Sequence, residues 1–87
     1  MKKINLDFNF KDLDGKELKD SHAGKFLATI LVNISTKDPL KLNAMAQKLY
    51  NKETIELDPQ DLELLKETIL SQPAITNGAK AQLLLAL

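Results

Sequence analysis

Apolar and polar residues alternate without interruption near the start of the chain. The apolar positions of this segment are Ile4, Leu6, Phe8 and Phe10. Successive side chains of a strand point to opposite faces, so a period of two predicts one half-buried strand. Asp14-Gly15 follows, and this dipeptide favours a tight hairpin turn because it tolerates positive φ angles. Residues 16–18 are then predicted to return as a short second strand.

Further along, the period changes to that of helices. Residues 21–24 form a plausible helix start before a nearly continuous apolar run over residues 26–34. A buried stripe is predicted there, widened by Phe26 and Val32; its positions are Leu27, Ile30, Leu31 and Ile34. Asp38-Pro39 then combines a capping residue with a first-turn proline and predicts a second helix to about residue 51. Its predicted inner face consists of Leu42, Met45, Ala46, Leu49 and Tyr50.

The second half of the chain repeats these signals. Residues 53–57 alternate again and are a possible third strand, which the pattern alone does not decide. Asp58-Pro59 predicts the start of a third helix, and Pro73 its end. Its inner face is predicted at Leu62, Leu65, Ile69 and Leu70. Thr76 or Asn77 can cap a last helix whose inner positions are Ala81, Leu84 and Leu85. The predicted fold class is α+β, an N-terminal β-hairpin packed on about four short α-helices.

Composition narrows the class of protein further. With 87 residues, the chain is expected to form a single domain over residues 1–87. It contains no cysteine, which excludes disulfides, thiolate metal sites and cysteine nucleophiles. No apolar stretch approaches the length of a membrane span, and polar residues interrupt any secretory signal after Met1. A cytoplasmic location without membrane contact is therefore expected.

Charge is unevenly distributed although the formal net charge is zero. Residues 1–52 hold ten lysines and six acidic residues, whereas residues 53–87 hold two lysines and six acidic residues. This polarity could steer two copies, or a partner, into register, or it could simply belong to two solvated faces. Arginine is absent, which argues against specific nucleic-acid recognition. A basic platform with interleaved aromatics could involve only Lys3, Lys11, Phe8 and Phe10.

Three motifs were candidates for chemistry, and none is predicted to be catalytic or to bind a metal or cofactor. The acidic run at residues 12–17 resembles a calcium loop, but the first and twelfth ligand positions would fall on Phe10 and Ser21. Gly24-Lys25 lacks the upstream glycine and the hydroxyl of a phosphate loop. His22 is the single histidine and is expected to be a surface or capping residue rather than a general base.

The last residues carry the candidate interaction site. Four leucines fall within residues 81–87, and only some of them can face one small core. Leu84 fits an inner stripe with Ala81, whereas Leu83 and Leu87 share another face that no polar residue covers. An uncovered apolar strip usually marks contact with a copy or a partner, so Leu83 and Leu87 are predicted interface residues. The alternative is that the terminal helix wedges deeply and buries both faces.

Several segments also show a resemblance to known proteins. The chain resembles small, mostly uncharacterised proteins of bacteriophages and prophages in five segments: the Asp-x-Asp-Gly-Lys turn at residues 12–16, residues 38–50, residues 55–58, residues 64–66 and residues 80–84. The resemblance implies a virion-assembly helper or a host-interacting factor and transfers no site residues. The leading hypothesis is thus a non-enzymatic interaction or assembly protein that binds a protein partner or itself. The alternative is a small nucleic-acid-binding regulator.

Overall fold

The computed structural model describes residues 1–34 and 38–87. Their backbone forms four short strands and four helices, which confirms the α+β class. In chain order the elements are β1 (Lys2–Ile4), β2 (Asn9–Lys11), β3 (Glu17–His22), α1 (Ala23–Asn33), α2 (Pro39–Tyr50), β4 (Ile55–Leu57), α3 (Pro59–Ser71) and α4 (Asn77–Leu85). Among these described residues, no helix has the length and apolarity needed to cross a bilayer.

The alternation at residues 4–10 predicts the buried positions correctly, but the prediction of a single strand is wrong. Ile4, Leu6 and Phe10 are buried and Phe8 is half-buried, yet the segment divides between β1 and β2. Two local bonds turn the backbone between them. Asp7 donates its N–H to the side chain of Asn5 at 2.8 Å, and Phe8 donates its N–H to the Leu6 carbonyl at 2.9 Å. Asparagine competes in this way with a strand ladder, so a period of two did not guarantee continuity.

The predicted hairpin is confirmed as the antiparallel pair of β2 and β3. Gly15 occupies the left-handed region at φ +81° in its turn, where glycine avoids the steric cost of a side chain. The register shifts between Asn9 and Lys11, so β3 bulges and Asp20 takes a φ of +55°. Ser21 fills the gap in the ladder, because its hydroxyl accepts the N–H of Phe10 at 3.1 Å. The hairpin leads directly into α1.

The chain divides into two compact units, residues 5–55 and residues 1–4 with 56–87. The single-domain organisation stays a prediction from length. In the first unit α1 packs along α2, and β3 contacts α1. The buried apolar residues of this unit are Leu6, Phe10, Ala23, Leu27, Ala28, Leu31, Leu42, Met45, Ala46, Leu49 and Ile55.

In the second unit α3 packs against α4. The strand that the pattern left undecided is β4, which pairs with β1, and its residues 56 and 57 belong to this unit. The predicted helix starts are confirmed here. The Asp58 carboxylate accepts the N–H of Asp61 at 2.8 Å, and the Thr76 hydroxyl accepts that of Ala79 at 3.3 Å. The buried residues of this unit are Ile4, Leu57, Leu65, Thr68, Ile69, Ile75, Leu83 and Leu87.

Six apolar residues assigned to inner helix faces are exposed instead. The exposed side chains are Phe26, Val32, Tyr50, Leu70, Ala81 and Leu85. Each helix has more apolar residues than positions that face the core. Some of the core-facing positions are occupied by small residues such as Ala28. Phe26 keeps partial cover through an edge contact with Phe10, whose ring centroid is 5.4 Å away.

The face assignment of α4 is wrong, and with it the prediction of an uncovered strip at Leu83 and Leu87. Leu83 is completely buried and Leu87 is 5% exposed, whereas Ala81 and Leu85 point outward. Burial of Leu83 and Leu87 removes their apolar surface from water and favours this rotation of the helix. The Lys80 ammonium also donates to the Leu70 carbonyl near the end of α3 at 2.9 Å. Residues 79, 83 and 87 then share the inward face.

Candidate functional site

A largely apolar groove runs between α1 and α2. It encloses about 360 Å³ and is lined by Ala28, Thr29, Val32, Ala46, Gln47, Tyr50 and Asn51. This volume lies at the lower end of the range for small-ligand pockets and also suits a few side chains of a peptide segment. The groove belongs entirely to the unit formed by residues 5–55.

Close contact between the two helices places this groove. The N-terminal end of α1 lies beside the C-terminal end of α2, where a Cβ added to Gly24 would be only 2.6 Å from the Leu49 carbonyl oxygen. Ala28 and Ala46 are buried and keep the helices close along their length. Since alanine fills little space, the larger side chains beside them stand at the rim rather than closing the groove.

Two apolar side chains at the groove remain open to water. Val32 is 53% exposed and Tyr50 is 52% exposed. The Lys25 ammonium lies 5.3 Å from the centroid of the Tyr50 ring, within cation–π distance. No carboxylate among the described residues forms an ion pair with Lys25. The groove thus combines an apolar floor with one positive charge beside its aromatic residue.

His22 has both ring nitrogens engaged, which confirms the prediction of a capping role. Its Nδ1 accepts the N–H of Lys25 at 3.1 Å at the start of α1, and its Nε2 lies 2.9 Å from the Asp7 carboxylate. An acceptor at Nδ1 leaves the hydrogen of the neutral ring on Nε2, which then donates to Asp7. In this arrangement neither nitrogen has a free lone pair for a substrate proton.

The acidic turn after β2 is organised around its own backbone. One carboxylate oxygen of Asp12 accepts the N–H groups of Asp14 and Lys16 at 2.9 and 3.0 Å. This is the turn-forming use of aspartate, and it directs that oxygen inward to the loop. Within the described ranges, no three acidic or histidine side chains come together as a metal site.

The aromatic residues of the possible nucleic-acid platform are not free for stacking on bases. Phe10 is 7% exposed, and Phe8 is half-buried with its ring edge-on to that of Phe10 at 6.3 Å. Stacking on a base requires an open aromatic face. Tyr50 at the groove is more open, but its ring already faces Lys25.

The candidate site is therefore not the one that the sequence predicted. Leu83 and Leu87 are buried, while the groove is lined by residues that had been assigned to the core or had carried no signal. Val32 and Tyr50 were assigned to inner stripes, and Thr29, Gln47 and Asn51 carried no recognised signal. The small residues of the two successive helices, Gly24, Ala28 and Ala46, were the available sign of close helix contact.

Comparison of the chain with protein-family models, with curated proteins and with solved structures found no match. Geometry and charge at the groove are thus the observations from which a function can be argued.

Proposed function

We propose that this chain is a non-enzymatic interaction or assembly protein of phage or prophage origin, and that the α1–α2 groove is its binding surface. The observation that carries the proposal is the exposure of Val32 and Tyr50 beside an apolar groove. Covering such side chains with a partner removes apolar surface from water and favours association. The phage context rests on the resemblance of the sequence segments described above.

A binding role also suits the polar residues around the groove. Thr29, Gln47 and Asn51 line it with neutral hydrogen-bonding groups, and Lys25 adds a charge at Tyr50. Protein interfaces commonly combine an aromatic or aliphatic centre with a polar rim of this kind. Both ring nitrogens of His22 are engaged, one by the start of α1 and the other by Asp7, so we expect no catalytic activity from it.

The test is capture of a partner from infected or lysogenic cells, with the purified chain as bait. The groove variant is Val32→Lys, which replaces an exposed helix residue with a good helix former and should leave the fold intact. Its matched control is Leu85→Lys, at a leucine of α4 that is 88% exposed. We expect wild type and Leu85→Lys to retain the same protein, and Val32→Lys to retain about tenfold less.

Two outcomes would contradict the proposal. Equal capture of that protein by Val32→Lys would show that the groove is not the binding surface. The absence of any specific partner or self-association would show that the chain is not an interaction protein. Circular dichroism and unfolding curves of all three proteins establish that the comparison is between folded chains.

A further inference from the structure

A second surface of the chain has the properties that the groove requires of a partner. On α3, Glu63, Glu67 and Leu70 recur at i, i+4 and i+7 and therefore share one face of the helix. All three are exposed, and Leu70 is 56% exposed. We call these residues the α3 stripe. It carries an unburied leucine one turn from a carboxylate.

Charge distinguishes the groove from the stripe. Helices α1 and α2 together have three lysines and no acidic residue. By contrast, α3 has three acidic residues and one lysine. Opposite potentials of this kind orient two surfaces during encounter and disfavour the wrong pairing. The α3 stripe thus joins negative charge to an exposed helical leucine.

We propose that the groove receives the α3 stripe of a second copy of this chain, with Leu70 between Val32 and Tyr50 and Glu67 at Lys25. The proposal names the partner of the same groove and so rests on the proposed function. One helical turn rises about 5.4 Å, so a leucine beside the Tyr50 ring places the carboxylate of Glu67 within reach of the Lys25 ammonium. The contact covers apolar side chains on both copies.

The two sides of this contact are different surfaces, so it is heterologous, and every copy carries both of them. One helix face in one groove is a small interface, for which we expect self-association in about the micromolar range. Part of the affinity depends on the exposed Glu67–Lys25 pair and should weaken as salt is added.

Sedimentation of the full-length chain over a range of concentrations measures the apolar part of the contact. Wild type should self-associate, and Leu70→Lys should weaken association by about tenfold or more, because the leucine no longer enters the groove. Leu85→Lys makes the same change at an exposed leucine outside the α3 stripe and should associate like wild type.

Charge reversal tests the pairing itself. Lys25→Glu and Glu67→Lys should each weaken self-association severalfold, because each variant sets like charges against one another. Mixed in equal amounts, the two variants should associate with each other as strongly as wild type does with itself, since each groove then meets a stripe of opposite charge.

Both reversals suit the helices in which they lie, so the variants should fold. Lys25 is the third residue of α1, where a glutamate interacts favourably with the helix dipole. A lysine at position 67 follows Glu63 at the favourable i, i+4 spacing. Circular dichroism of each variant checks this before sedimentation.

A monomeric wild type at all concentrations, or mixed variants that remain apart, would overturn the inference. These results separate it from the proposed function. If the chain stays monomeric while Val32→Lys still loses a cellular partner, the groove binds another protein and only the self-association is refuted. If neither association is found, both proposals fail.

Discussion

The starts of α1 and α4 look alike in local structure and differ in their surroundings. Both helices have glycine as their second residue, Gly24 in α1 and Gly78 in α4. In both, the side chain of the capping residue accepts the N–H of the third helical residue. The donor–acceptor distance is 3.1 Å at His22 and 3.3 Å at Thr76. The local hydrogen-bond pattern alone would assign the two helix starts the same role.

Their neighbours separate them. The N–H groups of Ala23 and Gly24 donate to the carbonyls of Phe8 and Leu6 at 2.7 and 3.0 Å, which draws the segment before β2 onto the helix. A Cβ on Gly24 would be 2.6 Å from the Leu49 carbonyl oxygen, whereas a Cβ on Gly78 would meet nothing within 4 Å. The first glycine permits three backbone segments to meet, and the second serves no visible packing purpose.

Alanine at the two glycines should give the largest contrast. Gly24→Ala forces a methyl group against fixed backbone atoms, and we expect it to lower the free energy of unfolding by about 2 kcal/mol or more, despite the better helix propensity of alanine. Gly78→Ala should leave stability unchanged or raise it by up to about 1 kcal/mol. Urea unfolding of the two variants against wild type measures both changes.

A Gly24→Ala variant as stable as wild type would show that α1 and α2 separate at low cost. The groove would then be a feature of one helix arrangement among several. Gly78→Ala is the control for this interpretation. It measures how much the higher helix propensity of alanine stabilises the protein at a matched helix position, where the added Cβ meets no other atom.

The two capping side chains should give a smaller contrast. His22→Ala removes the cap and the hydrogen bond to Asp7, which is 48% exposed and therefore partly screened. We expect a loss of about 2 kcal/mol. Thr76→Ala removes an exposed cap and should cost about 1 kcal/mol. Denaturant titrations compare these losses.

Asparagine at position 22 separates the two roles of the histidine. His22→Asn supplies a capping oxygen and should recover about half of the loss caused by His22→Ala. If alanine at 22 and at 76 cost the same, the contact with Asp7 would contribute nothing, and the difference between the two helix starts would lie in the glycines alone.

The helix starts could be predicted from sequence because their signals are local. Asp38, Asp58 and Thr76 each lie immediately before a helix in the structure, where a capping residue is expected. The hairpin turn was predictable for the same reason, since Gly15 provides the positive φ angle that the turn requires.

Helix faces were harder to predict, because apolar residues outnumber inward positions. In α1, Val32 lies outside although Leu31 beside it is buried, and the sequence does not rank them. In α4, Leu83 is buried and Leu85 is 88% exposed, and the periodicity does not rank these two leucines either. The groove could not be predicted for a related reason, since its shape depends on how closely two helices approach.

The smallest contrast that we predict concerns the two Asp-Pro helix starts. The Asp58 carboxylate accepts the Asp61 N–H at 2.8 Å, whereas the Asp38 side chain makes no capping bond although the same dipeptide precedes α2. Asp58→Ala should therefore cost about 1 kcal/mol. Asp38→Ala should cost about 0.3 kcal/mol, because only the interaction of a charge with the helix dipole is lost. Unfolding curves of both variants, with Asp58→Asn as the control that keeps a capping oxygen, measure the difference.

Equal losses at 38 and 58 would mean that the charge of the aspartate, rather than its hydrogen bond, stabilises the helix start at an Asp-Pro dipeptide. The capping hydrogen bonds would then account for less of the difference in stability between the starts of α1 and α4. The crowded backbone at Gly24 would account for correspondingly more of it.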